Sequence, residues 1–283
     1  MNYLTFGATG NIGSRVTRRL IARGERPSVF VRNAKTATAL FGDQVELYVG
    51  DLEKPGSSLA AALAGIDGVL LVTDGPELDS RDRAVAVAAK SAGVRHVVKL
   101  STLDVHTGVG TGPWHARGEL AVRESGVAFT FIQPAGFMLN ALGWSDSIRK
   151  GGVLRTSTGQ GKIAFIHPDD IADVATAALI TRDYAGQSLV ITGPEALSYG
   201  EMAATIGRVI GKRVRFEEIS DKQAYEGVVR WAGKGPYADA LVDIWRAVRE
   251  GRLATVSDGV EQVLERKAIA FEQWAEENAD AFQ

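Results

Sequence analysis

The segment that most constrains the fold is TFGATGNIGSR, which starts at Thr5 and places three glycines at intervals of three residues. It joins an apolar run, Tyr3–Phe6, to a stretch in which Ile12, Val16 and Leu20 recur every four residues. This recurrence predicts one buried face of a helix. A strand, a glycine-rich turn and a helix in that order can either make a tight turn or hold a phosphate at the helix N-terminus.

The rest of the N-terminal half repeats this alternation of strand-like and helix-like segments. Strand-like runs begin at Tyr3, Ser28, Val45, Gly68, His96 and Ala128. Helical patterns also cover Ser58–Ala64, Asp79–Ala92 and Pro113–Ser125. Alternating strands and helices indicate βαβ units, and continuously apolar strands indicate a sheet covered on both faces. The predicted fold is α/β, a Rossmann-type doubly wound parallel sheet.

In this setting the glycine triplet predicts a dinucleotide site. Gly7 would allow the tight turn, Gly10 would let the backbone approach a pyrophosphate, and Gly13 would let the helix pack closely on the strand. A merely structural turn is the alternative. The predicted cofactor contacts also include the intervening residues Thr9, Asn11 and Ile12.

The end of the second strand indicates which dinucleotide is bound. An acidic residue there would bind the ribose hydroxyls of NAD, but this chain has Arg32. A guanidinium fits the 2′-phosphate of NADP(H), with Asn33 and Lys35 assisting. A solvated loop charge is the alternative for Arg32.

The ends of the next two strands supply further predicted cofactor contacts. Asp51 and Leu52 follow the third strand, and Thr73, Asp74 and Gly75 follow the fourth. The third strand should end near the adenine, and the fourth where the cofactor crosses the sheet. Ordinary strand-end turns would contain the same residues.

The pattern changes after Pro134, which indicates a second region. A helical stretch over Phe137–Arg149 is predicted, and Ser198 and Glu201 have the spacing of a helix capping box. We predict an NADP-binding domain over 1–135, to which 163–193 returns, and a smaller, mainly helical substrate lobe over 136–162 and 194–283. Three tryptophans are expected to pack inside that lobe: Trp231, Trp245 and Trp274.

Composition excludes several classes of function. The net charge is −2, so there is no basic excess for a nucleic-acid backbone. The chain has no cysteine, which excludes disulfides, thiolate metal sites and thiol nucleophiles. No cluster of His, Asp and Glu has metal-ligand spacing, so no metal is predicted. No leader and no membrane-spanning run are apparent, and we expect a soluble cytoplasmic protein.

Longer segments resemble the NmrA-like branch of the atypical short-chain dehydrogenases over nearly the whole chain. They are GATGNIG, VRN, VGDL, AAKSAGVRHVVKLST, HARGELAVRESGVAFTFIQPAGFMLN and ERKAIAFEQWAEEN. Within that branch the chain is most similar to NADPH-dependent quinone oxidoreductases and triphenylmethane reductases. The resemblance implies NADP(H) as cofactor, and it implies that Ser101, Thr102, Phe137 and Asn140 line the cofactor and substrate cleft. Strand-capping hydroxyls and core packing are the alternatives.

The usual catalytic pair of that superfamily, Tyr-x-x-x-Lys, is missing. No tyrosine has a lysine four residues later, and the corresponding helix offers His115 with Glu119 one turn on. A near-neutral imidazole could bind the nicotinamide ribose or relay a proton, so His115 is the catalytic candidate. A polar residue at a helix start is the alternative.

The predicted function is therefore hydride transfer from NAD(P)H to a small planar electrophile such as a quinone. Water can protonate that product, so the missing tyrosine fits the chemistry. A non-catalytic NADP sensor of the NmrA type is one alternative, and a reductase in a biosynthetic pathway is another. An oligomer is possible.

Overall fold

The computed structural model describes residues 1–283 and divides into two compact units. The first unit comprises Met1–Thr102, Trp114–Gln133 and Ile171–Leu189. The second comprises Leu103–Pro113, Pro134–Asp170 and Val190–Gln283. No helix of the structure combines the length and the apolar character that crossing a membrane requires.

The strands are short, and most of them precede the middle of the chain. They are β1 (Tyr3–Phe6), β2 (Ser28–Val31), β3 (Glu46–Val49), β4 (Gly68–Leu71), β5 (His96–Leu100), β6 (Phe129–Pro134), β7 (Val153–Thr156), β8 (Lys162–Ile163), β9 (Ser188–Ile191), β10 (Leu197–Ser198) and β11 (Arg215–Glu218).

The helices connect these strands and fill the C-terminal part. They are α1 (Asn11–Ala22), α2 (Ala34–Phe41), α3 (Gly56–Leu63), α4 (Leu78–Ser91), α5 (Gly112–Glu124), α6 (Ser145–Gly151), α7 (Pro168–Thr181), α8 (Tyr199–Val209), α9 (Asp221–Ala232), α10 (Pro236–Arg249), α11 (Gly259–Leu264) and α12 (Phe271–Glu277). Short 3-10 turns cover Leu103–His106, Met138–Trp144 and Ala279–Ala281.

Seven strands form one parallel sheet in the order β3-β2-β1-β4-β5-β6-β9. Because the order reverses between β1 and β4, the carboxyl ends of these two strands border the crevice in which such sheets bind ligands. The predicted Rossmann-type fold with a helical C-terminal part is confirmed. β1, β2, β4 and β5 are buried throughout.

Two local predictions need correction, and one helix was not predicted. β3 is not covered on both faces, because it lies at the edge of the sheet and most of its residues are exposed. Helix α2 was not predicted, since its sequence has little periodicity. It begins where the Asn33 side chain accepts hydrogen bonds from the N–H groups of Lys35 and Thr36. The stretch over Phe137–Arg149 is a 3-10 turn followed by α6 rather than one helix.

The second unit has its own core and two small sheets, β8 with β10 and β7 with β11. The capping box of Ser198 and Glu201 is confirmed at the start of α8. Trp274 is buried in this core and Trp245 packs against it. Trp231 does not pack there, because it is 67% exposed and contacts only the edge of the Tyr237 ring among aromatic partners.

A buried histidine links β5 to β6 in the first unit. His96 shares a 2.9 Å hydrogen bond with Thr130 Oγ1, and the Thr130 hydroxyl donates to the carbonyl of Tyr184. Burial, with a smaller contribution from the charge of Arg182, lowers the pKa of His96 to about 4. Because an unfolded histidine has a pKa of about 6.5, the unfolded chain takes up this proton first as the pH falls.

The free energy of unfolding is therefore expected to fall as the pH is lowered from about 6.5 to about 4, with His96 contributing at most about 3 kcal/mol. Urea titrations at several pH values in this range measure the slope. His96→Gln, which keeps a donor for Thr130, should reduce the slope. His106→Gln is the matched control at an exposed position and should keep it. Equal slopes for His96→Gln and the native protein would contradict this origin.

Candidate cofactor and active site

The three predicted glycines follow β1 and form a tight backbone cradle before α1. Gly7 has a φ of +72°, which favours glycine, and a Cβ built on it would lie 2.8 Å from the Val72 carbonyl oxygen. A Cβ on Gly13 would overlap the Gly7 carbonyl oxygen. Both glycines are therefore required by the local packing of the strand, the turn and the helix.

Gly10 differs from its two neighbours in the triplet. A Cβ built on it has only one atom within 4 Å, the Gly7 carbonyl oxygen at 3.3 Å, and its backbone is extended with a φ of −86°. Gly10 is exposed and is the N-cap residue of α1. The first N–H groups of α1, which lack helical partners, lie next to it. Thr9 and Asn11 beside it are exposed, whereas the Ile12 side chain is buried and leaves only its backbone for an anion. This cradle fits a pyrophosphate.

The end of β2 carries the residues predicted to select NADP(H). Arg32 and Lys35 are exposed on either side of the start of α2. The side-chain oxygen of Asn33 is occupied by the cap of α2, so only its amide NH₂ group can donate to a phosphate. Two cations and the start of a helix make this edge of the sheet suitable for an anion.

The predicted residues after β3 and β4 are partly occupied by contacts of their own loops. Asp51 accepts a hydrogen bond from the Glu53 N–H, and Leu52 packs against the apolar core. Asp74 accepts from the Gly75 N–H and, through its carbonyl, from the Arg81 guanidinium. These contacts shape the two loops, and the predicted cofactor contacts of Asp51, Leu52, Asp74 and Gly75 remain predictions.

A buried polar cluster lies at the ends of β5 and β6. The Ser101 hydroxyl donates to Glu119 Oε1 at 2.6 Å, and Gln133 Nε2 donates to the same oxygen at 2.8 Å. All three side chains are more than nine-tenths buried. Thr102 follows Ser101 and is half-buried. Ser101 and Thr102 remain predicted cofactor contacts, and Glu119 fixes the orientation of Ser101.

A second part of this cluster was not identified from the sequence. Lys99 on β5 and Asp82 on α4 form an ion pair of 2.6 Å between side chains with no exposed surface. The Thr73 hydroxyl donates to Asp82 Oδ1 at 2.6 Å. The sequence signal was a lysine inside the apolar run HVVKLS, on the same strand face as Val97 and Ser101.

His115 lies on α5 within the first unit and is buried. Its Nδ1 atom is inaccessible to solvent and has no hydrogen-bond partner in the protein. Burial, assisted by the positive charge of Lys99, lowers the pKa of His115 to about 3. The expectation of a near-neutral pKa was wrong. His115 is a neutral imidazole at pH 7 and suits hydrogen bonding rather than acid catalysis.

The predicted substrate residues lie in the second unit. Phe137 is half-buried and forms a β-bridge with Ile166, and its carbonyl accepts from the Asn140 N–H at 3.0 Å. Asn140 is exposed in the 3-10 turn Met138–Trp144. Their substrate role remains a prediction.

Comparison with known proteins decides the family. Residues 7–182, which include the glycine cradle and the buried cluster, match the family model described as NAD(P)H-binding. The chain belongs to the NAD(P)H-binding family. The resemblance to the NmrA-like reductases that the sequence motifs indicated is confirmed.

Two relatives are 36% identical to the chain over 99% of its length and 98% of their own. One is the (4-alkanoyl-5-oxo-2,5-dihydrofuran-3-yl)methyl phosphate reductase of Streptomyces griseus, and the other is the NAD(P)H azoreductase of Xenophilus azovorans. The structure of the NADPH-dependent quinone oxidoreductase of Escherichia coli superposes with a TM-score of 0.86 at 25% identity, covering all of both chains. The chain is an NAD(P)H-dependent oxidoreductase of this family, as the sequence predicted.

Proposed function

We propose that this protein is an NADPH-dependent reductase that transfers hydride to a small planar electrophile. In this proposal water, and no side chain of the protein, protonates the reduced product. Quinones are the proposed class of acceptor, and the proposed location is the cytoplasm. NADPH supplies the hydride when bound. The glycine cradle would hold its pyrophosphate, and Arg32 and Lys35 would bind its 2′-phosphate.

The choice of acceptor rests on the missing Tyr-x-x-x-Lys pair together with the burial of His115 on the helix that would carry that pair. A buried imidazole with a pKa of about 3 cannot protonate a product at pH 7. The acceptor must therefore take hydride without a proton from this group, and a quinone does so because water can protonate the reduced product. The Nδ1 atom has no hydrogen-bond partner in the protein and is inaccessible to solvent, so neighbouring side chains would have to move before His115 could accept a hydrogen bond there from the cofactor or the substrate.

The relatives support this chemistry and widen the set of acceptors to test. One of the 36% identical relatives is named for an azo substrate, another for an alkanoyl-oxo-dihydrofuran, and a structural neighbour for quinones. The test is NADPH oxidation with quinones, azo dyes, triphenylmethane dyes and enones. Purified Gly10→Val protein provides the background rate. Oxidation with none of these acceptors, while NADPH still binds, would reject the reductase in favour of a sensor.

Replacing His115 by Ala is expected to lower single-turnover NADPH oxidation only about fivefold, the cost of one neutral hydrogen bond of about 1 kcal/mol. The rate should not follow an imidazole titration between pH 5 and 8 in either protein. His115→Asn is the matched control, because its amide keeps a polar atom near the position of Nδ1. A loss greater than about 10²-fold, together with an imidazole-like pH dependence in the native protein that disappears in the variant, would show that His115 is an essential acid.

A further inference from the structure

The Asp82–Lys99 ion pair is not explained by stability. Both side chains are completely buried, and their charged atoms lie 2.6 Å apart. Withdrawing two charges from water is costly, and apolar side chains of similar volume are often equally stable in such a position. A buried pair of this kind therefore calls for a second role, which its neighbours indicate.

The first neighbour is Thr73, at the end of β4. Its hydroxyl donates to Asp82 Oδ1 at 2.6 Å, and Lys99 Nζ donates to its oxygen at 3.5 Å. Both members of the ion pair thus orient the same hydroxyl. Thr73 follows the strand at which the order of the sheet reverses, where a dinucleotide crosses its edge.

The second neighbour is helix α5, which touches the pair through Gly118. A Cβ built on Gly118 would overlap Asp82 Oδ2 and would lie 3.1 Å from Lys99 Cε. His115 precedes Gly118 by one helical turn, and Glu119 follows His115 at i+4 on the same face. The ion pair therefore sets how closely the helix face that carries His115 approaches β5.

The pair also sets the charge around His115. The charged groups of the cluster are Lys99 on β5, Asp82 on α4 and Glu119 on α5 itself. Among them, Lys99 acts together with burial to keep the imidazole neutral. Glu119 accepts hydrogen bonds from Ser101 and Gln133, so its orientation is fixed separately from the ion pair, which joins α4 to β5 beneath Gly118 of α5.

We propose that Asp82 and Lys99 are positioning residues of the reductase, which hold the Thr73 hydroxyl and the His115 face of α5 in place for the nicotinamide half of the cofactor. This inference rests on the proposed function, in which that face serves NADPH. Neither residue needs to touch the cofactor or the substrate.

The test replaces the pair by apolar side chains of similar size, Asp82→Leu with Lys99→Met. The dissociation constant for NADPH, from fluorescence titration, is expected to rise about tenfold, as for one misplaced hydrogen bond. The urea midpoint should stay the same or rise. In NMR spectra assigned with His115→Gln, the titration midpoint of the His115 imidazole should rise in Lys99→Gln, which removes the positive neighbour and keeps the Asp82 carboxylate.

The matched control is an exposed ion pair between α4 and α5, Arg83 with Glu124 at 2.9 Å. Arg83→Gln with Glu124→Gln should change neither NADPH binding nor the His115 titration. If the apolar variant does not fold, Lys99→Gln is measured instead, since its amide still donates to Asp82, and the same two changes are expected.

Unchanged NADPH affinity and an unchanged His115 titration, with only a lower urea midpoint, would overturn the proposal and leave the pair a purely structural role. The NMR titration requires no turnover. Failure of every acceptor would therefore reject the proposed reductase activity without deciding the role of the ion pair, so the two failures are distinguishable.

Discussion

A Gly10→Val variant is expected to fold normally and to lose NADPH binding by more than about 10²-fold, the loss of two charge-assisted hydrogen bonds to the pyrophosphate. The backbone at Gly10 has an ordinary extended conformation, and a Cβ there would meet one protein atom, the Gly7 carbonyl oxygen at 3.3 Å, so the turn has to adjust by only a few tenths of an ångström. The added side chain therefore occupies space outside the fold, where the pyrophosphate would approach the N-terminus of α1. Circular dichroism and a urea titration test the fold, and fluorescence titration with NADPH tests binding.

Two further substitutions make this experiment specific. Gly13→Val should destabilise the protein itself, because its Cβ would overlap the Gly7 carbonyl oxygen. Gly227→Val in α9 is the matched control, since its Cβ would meet only the flexible end of Arg230 at 3.8 Å, and it should leave binding unchanged. Retained affinity in Gly10→Val would mean that the triplet is only a turn.

The features that the sequence predicted correctly are those that depend on residues close together in the chain. The glycine triplet, the alternation of apolar strands with helices and the capping box of Ser198 and Glu201 each depend on residues within one element or turn. Helix α2 was missed because it is short and weakly periodic, and the signal that marks its start is a single capping residue, Asn33. The exposure of β3 depends on the order of strands, which local patterns do not contain.

The contacts of the buried cluster could not be predicted from the sequence, because they join residues of elements that are distant in the chain. A lysine inside the apolar run of β5 indicates a buried cation that needs a partner, but nothing local identifies Asp82 on α4 as that partner. The same limit explains the error at His115. Its low pKa arises from burial by the folded chain and from the charge of Lys99 on another element.

These long-range contacts also change what the missing Tyr-x-x-x-Lys pair implies. The helix that would carry that pair instead presents a neutral imidazole and a hydrogen-bonded carboxylate, next to a lysine supplied by β5 rather than by the helix. A lysine is thus present in the cluster, but its ammonium is bound by Asp82 and Thr73.

Arg32→Ala is expected to weaken NADPH binding by about 10- to 150-fold and to leave NADH binding nearly unchanged. Arg32 is exposed at the carboxyl end of β2, beside the start of α2, where an acidic residue would instead bind the ribose hydroxyls of NADH. A guanidinium that donates to the 2′-phosphate contributes about 1.5–3 kcal/mol, which corresponds to this range of affinities. NADH lacks that phosphate, so the substitution removes no contact to NADH.

Fluorescence titrations of both dinucleotides against the native protein and the variant measure this difference. Arg26→Ala is the matched control, because Arg26 is equally exposed but precedes the same strand, at its opposite end. It should leave both affinities unchanged. The preference for NADPH in the native protein should decrease at higher salt, since an exposed ionic contact is screened. Equal affinities of the native protein for NADPH and NADH would rule out Arg32 as the selecting residue, because a phosphate contact at that position must distinguish the two cofactors.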